Sequence, residues 1–178
     1  MAISAADVKK LREATGAAML DCKNALEQNN GDFDKAMAWL KEKGLAKAAK
    51  KVDRATTDGR VEVYMHPGNR VAVMVEVNCE TDFVAKTEAF QNFTHDVALH
   101  IAMANPKYLD AADVPASEVE AATAEGRPAE KYYEEVCLLR QPFVKNESLT
   151  ISQMLKEAIA AIGENMNIRR FVRYELGQ

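Results

Sequence analysis

Val71, Val73, Val75 and Val77 alternate with Ala72, Met74, Glu76 and Asn78. A period of two puts the valines on one face and mixed residues on the other, which is the signature of a half-buried β-strand. Upstream, Val61, Val63 and Met65 alternate up to the turn cluster His66-Pro67-Gly68-Asn69, so the two runs predict a β-hairpin. Glu88 to Ala104 places Phe90, Phe93, Val97 and Ile101 on one helical stripe, and this helix is expected to pack against the sheet. Asn105-Pro106 stops it, because a residue before proline is pushed out of the helical region. Ile168, Arg170, Val172 and Tyr174 predict a closing third strand.

The amino-terminal third reads differently. Val8 and Leu11 precede a break at Thr15-Gly16; Cys22, Ala25 and Leu26 then recur at helical spacing, and Phe33, Ala36, Met37 and Leu40 follow Asn29-Asn30-Gly31. Three short amphipathic helices are predicted. Asp32 is placed to cap the third, and Gly44 to end it in the left-handed conformation. Leu45 to Thr57 is rich in Ala and Lys and reads as a solvated helical linker.

Residues 107–128 are polar and rich in Ala and Glu; beyond them Tyr132, Tyr133, Val136 and Leu138 or Leu139 outline a helix that Gln141-Pro142 breaks. Thr150-Ile151-Ser152-Gln153 has the form of a capping box, in which the two polar side chains satisfy free N–H groups at a helix start. The fold class is therefore α+β: a three-helix bundle over residues 1–45, a linker over 46–57, and a core over 58–178 with a small antiparallel sheet carrying helices on one face.

Composition narrows the function. A chain of 178 residues with 48% hydrophobic residues can bury a core. It holds no apolar run of the ~20 residues a membrane helix needs and no secretion signal at its start, so a soluble cytoplasmic protein without a membrane partner is expected. Net charge is −4, yet residues 1–54 carry 11 Lys/Arg against 8 Asp/Glu while the remainder is acidic, which argues against direct nucleic-acid binding. Cys22, Cys79 and Cys137 form no CxxC pair, and His66, His95 and His100 form no metal-binding cluster, so neither a disulfide framework nor a bound metal or cofactor is expected. No GxSxG elbow, phosphate-binding glycine loop or triad built on the histidines is present, which weighs against an enzyme.

The chemistry concentrates where the valine strand ends. Asn78-Cys79-Glu80-Thr81-Asp82-Phe83-Val84 sets a carboxylate beside a large aromatic at the strand exit. The residues alone leave two readings open: Phe83 folds back under the next helix with Asp82 capping it, or both side chains are presented outward as a probe.

Thr15-Gly16-Ala17-Ala18-Met19-Leu20-Asp21-Cys22-Lys23-Asn24-Ala25-Leu26, Asn78 to Val84, Cys137-Leu138-Leu139-Arg140-Gln141-Pro142-Phe143-Val144 and Gly163-Glu164-Asn165-Met166-Asn167-Ile168-Arg169-Arg170 resemble the elongation factor Ts family in order and spacing. By that resemblance the first helices look like the family's ubiquitin-associated-type domain, and the rest like its core and dimerisation region. The resemblance implies a guanine nucleotide exchange factor for elongation factor Tu. It carries Thr81, Asp82, Phe83 and Val84 onto the segment that enters the partner's GTP-binding domain and dislodges Mg2+, with Phe83 as the exposed wedge and Thr81 and Val84 shaping the loop. Unlike longer members, this chain has one core unit and a contracted segment at residues 116–130, so the resemblance implies a homodimer in which a second copy replaces the missing half. Arg169 and Arg170 are equally placed to meet the partner or to pair with acidic residues of the sheet. The competing function is a scaffold whose bundle binds a polypeptide or the ribosome without promoting exchange.

Overall fold

Capping and small apolar faces account for the amino-terminal helices in the computed structural model, which describes residues 3–178. Helix α1 (Ala5–Thr15) starts at Ser4, whose Oγ accepts from the Asp7 N–H at 3.1 Å while Asp7 accepts from the Ser4 N–H. It stops at Gly16, where φ of 67° is the left-handed turn that glycine adopts without steric cost. Helices α2 (Met19–Gln28) and α3 (Phe33–Ala49) follow, the latter capped by Asp32 Oδ1 at 3.0 Å from the Lys35 N–H. Val8, Leu11, Cys22, Ala25, Leu26, Ala36 and Leu40 bury together as their core.

Gly44 does not end α3, contrary to the expectation from sequence; the helix continues to Ala49. A Cβ at Gly44 would sit 3.2 Å from the Ala160 Cβ, so the absent side chain admits close packing by a neighbour. The stretch expected as a solvated helical linker is helical up to Ala49, and two of its lysines have specific partners. Lys47 bonds Asp21 at 3.0 Å, and Lys51 donates to the Gly163 carbonyl.

The chain divides into two units, one running to Asp53 and taking in Lys156–Glu164, the other comprising Arg54–Leu155 and Asn165–Gln178. The first holds a cleft of about 740 Å³. Its lining lysines Lys41, Lys43 and Lys47 are already paired, with Glu157 or Asp21.

In the second unit β1 (Asp58–Met65) and β2 (Val71–Cys79) form the hairpin, in a register from Asp58 opposite Cys79 to Met65 opposite Ala72. A one-turn helix α4 (Asp82–Ala85) leads into α5 (Glu88–Ala104). Helices α6 (Ala116–Ala124) and α7 (Ala129–Val136), a short hairpin of β3 (Pro142–Phe143) and β4 (Asn146–Thr150), helix α8 (Ile151–Ile162) and β5 (Met166–Glu175) complete the order. The main sheet runs β1-β2-β5, antiparallel throughout.

Val73, Val75 and Val77 are buried on the face that α5 covers, together with Phe90, Phe93, Val97 and Ile101. The opposite face stays open. Val61, Val63 and Met65 of β1, Met74 of β2, and Val172 and Tyr174 of β5 are all exposed there, joined by the register of Met74 with Val63 and Val172.

Two elements were not foreseen. Helix α6 lies in the stretch read only as polar, held where Glu118 accepts from the hydroxyls of Tyr108 at 2.7 Å and Tyr132 at 2.6 Å. The Glu118 carboxylate holds the Tyr132 hydroxyl proton in place and pushes its pKa up to about 12. The β3–β4 hairpin is anchored by His100, a ring buried in α5 that pairs Nε2 with Gln141 Oε1 at 3.0 Å and accepts the Val144 N–H at Nδ1. The predicted capping box does start α8: Thr150 Oγ1 accepts from the Gln153 N–H at 3.2 Å, and Gln153 Oε1 from the Thr150 N–H at 2.8 Å.

Candidate partner-binding site

Strand β2 ends with Asn78 and Cys79 buried, and there the chain turns out of the sheet. The Cys79 thiol donates to the Thr81 carbonyl at 3.2 Å, fastening the first residue of the turn. Thr81 is extended, with φ of −133°, and its Oγ1 accepts from the Val84 N–H at 3.4 Å, so it caps α4. The Ala85 N–H returns to the Thr81 carbonyl at 3.3 Å, and the Thr87 hydroxyl donates to the Val84 carbonyl at 2.8 Å before Thr87 caps α5 in its turn. Thr81, Asp82, Phe83 and Val84 therefore form one short, closed loop of hydrogen bonds.

Of its side chains, Phe83 stands out at 80% exposed. The reading in which the ring folds under the next helix is not what the structure adopts. Nor does Asp82 serve as the cap, since Thr81 does; Asp82 instead bonds Lys86 at 2.6 Å across one helical turn. That ammonium, by hydrogen bond and charge, holds the Asp82 carboxyl below its ordinary range, so the group stays ionised beside the ring.

Three residues outside the sequence-predicted set bond one another next to the turn, without being part of it. Glu80 Oε1 accepts from the Asn165 N–H at 2.6 Å and lies 3.4 Å from Arg54 Nη1, while Asn165 Nδ2 donates to the Arg54 carbonyl at 2.7 Å. Glu80 and Asn165 each stand in a quoted sequence block, but nothing along the chain announces that residues 85 positions apart meet. Arg169 and Arg170 both turn to the sheet: Glu76 takes Arg170 Nε at 2.7 Å and Arg169 Nη1 at 3.6 Å, an arrangement allowed by a bulge in the β2–β5 ladder at Glu76/Val77. Among the described residues, no group of three or more His, Cys, Asp or Glu side chains converges on a metal position.

The model of the family described as elongation factor TS matches residues 2–128 and 121–178, almost the whole chain. The chain belongs to the elongation factor Ts family. An elongation factor Ts of Carboxydothermus hydrogenoformans is 53% identical over 190 aligned residues, covering 96% of this chain and 88% of the relative. That of Heliobacterium modesticaldum is 50% identical, covering 99% and 91% of the two chains, and that of Herpetosiphon aurantiacus is 50% identical, covering 99% of both. Membership in the elongation factor Ts family gives the chain a role in translation elongation. Among the described residues, no helix is long and apolar enough to cross a membrane.

Proposed function

We propose that this protein promotes GDP release from elongation factor Tu by disturbing the Mg2+ that helps hold the nucleotide. A translational GTPase grips its nucleotide through backbone contacts to the phosphates and through the metal that bridges phosphate oxygens, so displacing the metal weakens the whole site. The observation that carries this reading is Phe83, 80% exposed on a one-turn helix whose backbone is closed by its own hydrogen bonds. Burying that ring between helices of a partner supplies about 1.5 to 3 kcal/mol. Asp82, kept ionised by Lys86, then brings a negative charge beside the wedge, where it competes for donors or repels a metal-ligating carboxylate. The step involves no covalent chemistry, so the protein is an exchange factor and not an enzyme. Coupling is reciprocal: by whatever factor this protein weakens GDP on its partner, GDP weakens this protein's hold.

The same reading makes the working form a homodimer in the cytoplasm. Its support is the open sheet face of Val61, Val63, Met65, Met74, Val172 and Tyr174, whose apolar side chains lie side by side across all three strands. Size-exclusion chromatography with light scattering is expected to give two chains per particle for the wild type and one for Met74→Glu. A fully active monomer refutes the dimer.

The test of exchange is stopped-flow release of a fluorescent GDP analogue from purified elongation factor Tu. Wild type accelerates release, and Phe83→Ala accelerates it far less. If wild type leaves release unchanged, the protein is a scaffold and the exchange reading ends.

A further inference from the structure

We propose that Glu80 is the positioning residue of the Phe83 turn, acting through Asn165 and Arg54 and making no contact with the nucleotide's holder itself; the proposal rests on the exchange reading above. Helix α4 is one turn long and lies against β1 and β2 with Val84 and Ala85 half-buried, but it fully buries none of its residues, so packing alone holds the direction of Phe83 only weakly. The flanks have to supply the rest. On the downstream side Thr87 begins α5, whose Phe90 is buried. On the upstream side stands Glu80.

The sheet register shows what Glu80 does. Cys79 is the last residue of β2 and lies opposite both Asp58 of β1 and Met166 of β5. Were pairing to continue, the next rung toward β5 would draw the backbone of residues 80–81 along the sheet. Instead the Glu80 carboxylate accepts the Asn165 N–H at 2.6 Å, a charge-assisted bond to a residue that is itself buried. The side chain takes the place of a strand carbonyl, and the main chain is released to turn outward at Thr81.

Asn165 closes the ring by donating its side-chain amide to the Arg54 carbonyl at 2.7 Å, and Arg54 Nη1 approaches Glu80 Oε1 at 3.4 Å. Segments entering β1, leaving β2 and entering β5 are thereby tied at the end of the sheet from which the turn departs. Two requirements follow for position 80. An acceptor oxygen must reach Asn165, and the reach is that of the glutamate side chain, one methylene longer than aspartate's; the negative charge is secondary.

Glu80→Gln keeps the reach and an acceptor oxygen while losing the charge; Glu80→Asp keeps the charge and loses the reach. In GDP release from elongation factor Tu, measured over a range of exchange-factor concentrations, Glu80→Gln stays within about twofold of wild type. Glu80→Asp lowers the maximal rate by about ten- to a hundredfold, the loss that a misplacement of about 1 Å brings, with less change in the half-saturating concentration. Amide hydrogen exchange in the isolated protein supplies a reading that needs no partner: the Val84 and Thr87 amides exchange faster in Glu80→Asp and at the wild-type rate in Glu80→Gln, while circular dichroism melts show both variants folded. The proposal is overturned if Glu80→Asp behaves as wild type, or if Glu80→Gln falls as far as Glu80→Asp, which would mean the charge itself meets the partner. If wild type fails to accelerate release, the exchange reading fails alone, and the Val84 and Thr87 amides still decide whether Glu80 sets the turn.

Discussion

Phe83 and Phe90 are the same residue type on consecutive helices of one unit, and they occupy opposite extremes: 80% exposed on α4 against 0% on α5. Helix α5 has 17 residues and a stripe of Phe90, Phe93, Val97 and Ile101 pressed on the valines of β2, so its placement follows from burial. Helix α4 fully buries no residue and is braced by hydrogen bonds at its ends, from Cys79, Thr81 and Thr87. An apolar ring that stabilises nothing in its own chain is available to stabilise a complex. The contrast separates a residue that builds the molecule from one that, under the proposed function, addresses a partner.

Truncating the two rings is the sharpest way to break that contrast. Phe90→Ala removes a fully buried aromatic and is expected to destabilise the protein by about 3 to 5 kcal/mol, read in urea unfolding followed by circular dichroism. Phe83→Ala is expected to leave the unfolding curve where it is and to slow assisted GDP release by about 10- to 150-fold, the rate equivalent of losing one ring's burial. Equal stability losses from the two substitutions would show that Phe83 is part of the architecture after all.

His100 inverts the comparison, a polar ring fully buried in the helix that Phe90 anchors. Both its nitrogens are committed, to Gln141 Oε1 and the Val144 N–H. His100→Leu withdraws two partners from the β3–β4 hairpin and is expected to lower stability by about 2 to 4 kcal/mol, with the maximal exchange rate unchanged in the folded fraction. Burial pushes the His100 pKa down, against a smaller upward pull from its bond to Gln141. The folded protein therefore refuses a proton that the unfolded chain accepts. As pH falls through the ordinary histidine value of 6.5, stability falls too, by at most about 1.4 kcal/mol per pH unit from this group, and levels off below the depressed folded value. Urea midpoints measured from pH 7.5 down to 5 in wild type and His100→Leu check the sign: the component assigned to His100 is absent from the variant.

How much of this was legible in the sequence depends on how far apart the interacting residues lie. The valine alternation, the α5 stripe and the Thr150 to Gln153 box are local patterns, and each produced the element it predicted. Gly44 carries the local mark of a helix end, but Ala160 lies where its Cβ would point, and no local pattern encodes a neighbour so distant in the chain. Helix α6 was missed because its Ala- and Glu-rich stretch, though made of good helix formers, carries no apolar stripe; its distant partners are Tyr108 and Tyr132, which hold Glu118. Family resemblance pointed to Thr81 through Val84 and to an exposed Phe83, which the residues alone left open, while the bond from the Asn165 N–H to Glu80 came only with the fold.

The smallest expected effect is at Asp82, and it refines the division between building and addressing. Its bond to Lys86 is an exposed pair one helical turn apart, the class that contributes least to folding because water and salt compete with it. Asp82→Ala is thus expected to shift the urea midpoint by no measurable amount. If its charge acts on the partner's metal site, assisted GDP release nonetheless slows by about three- to tenfold at low ionic strength, within the range surface charges exert on association. That difference then narrows as salt rises and the screening length shortens to about 8 Å near physiological ionic strength. Phe83→Ala, whose loss is one of apolar burial, shows no such narrowing. Running both variants through the same salt series separates the anion's contribution from the wedge's, and a salt-independent loss at Asp82 would assign that residue to the shape of the turn instead of to its field.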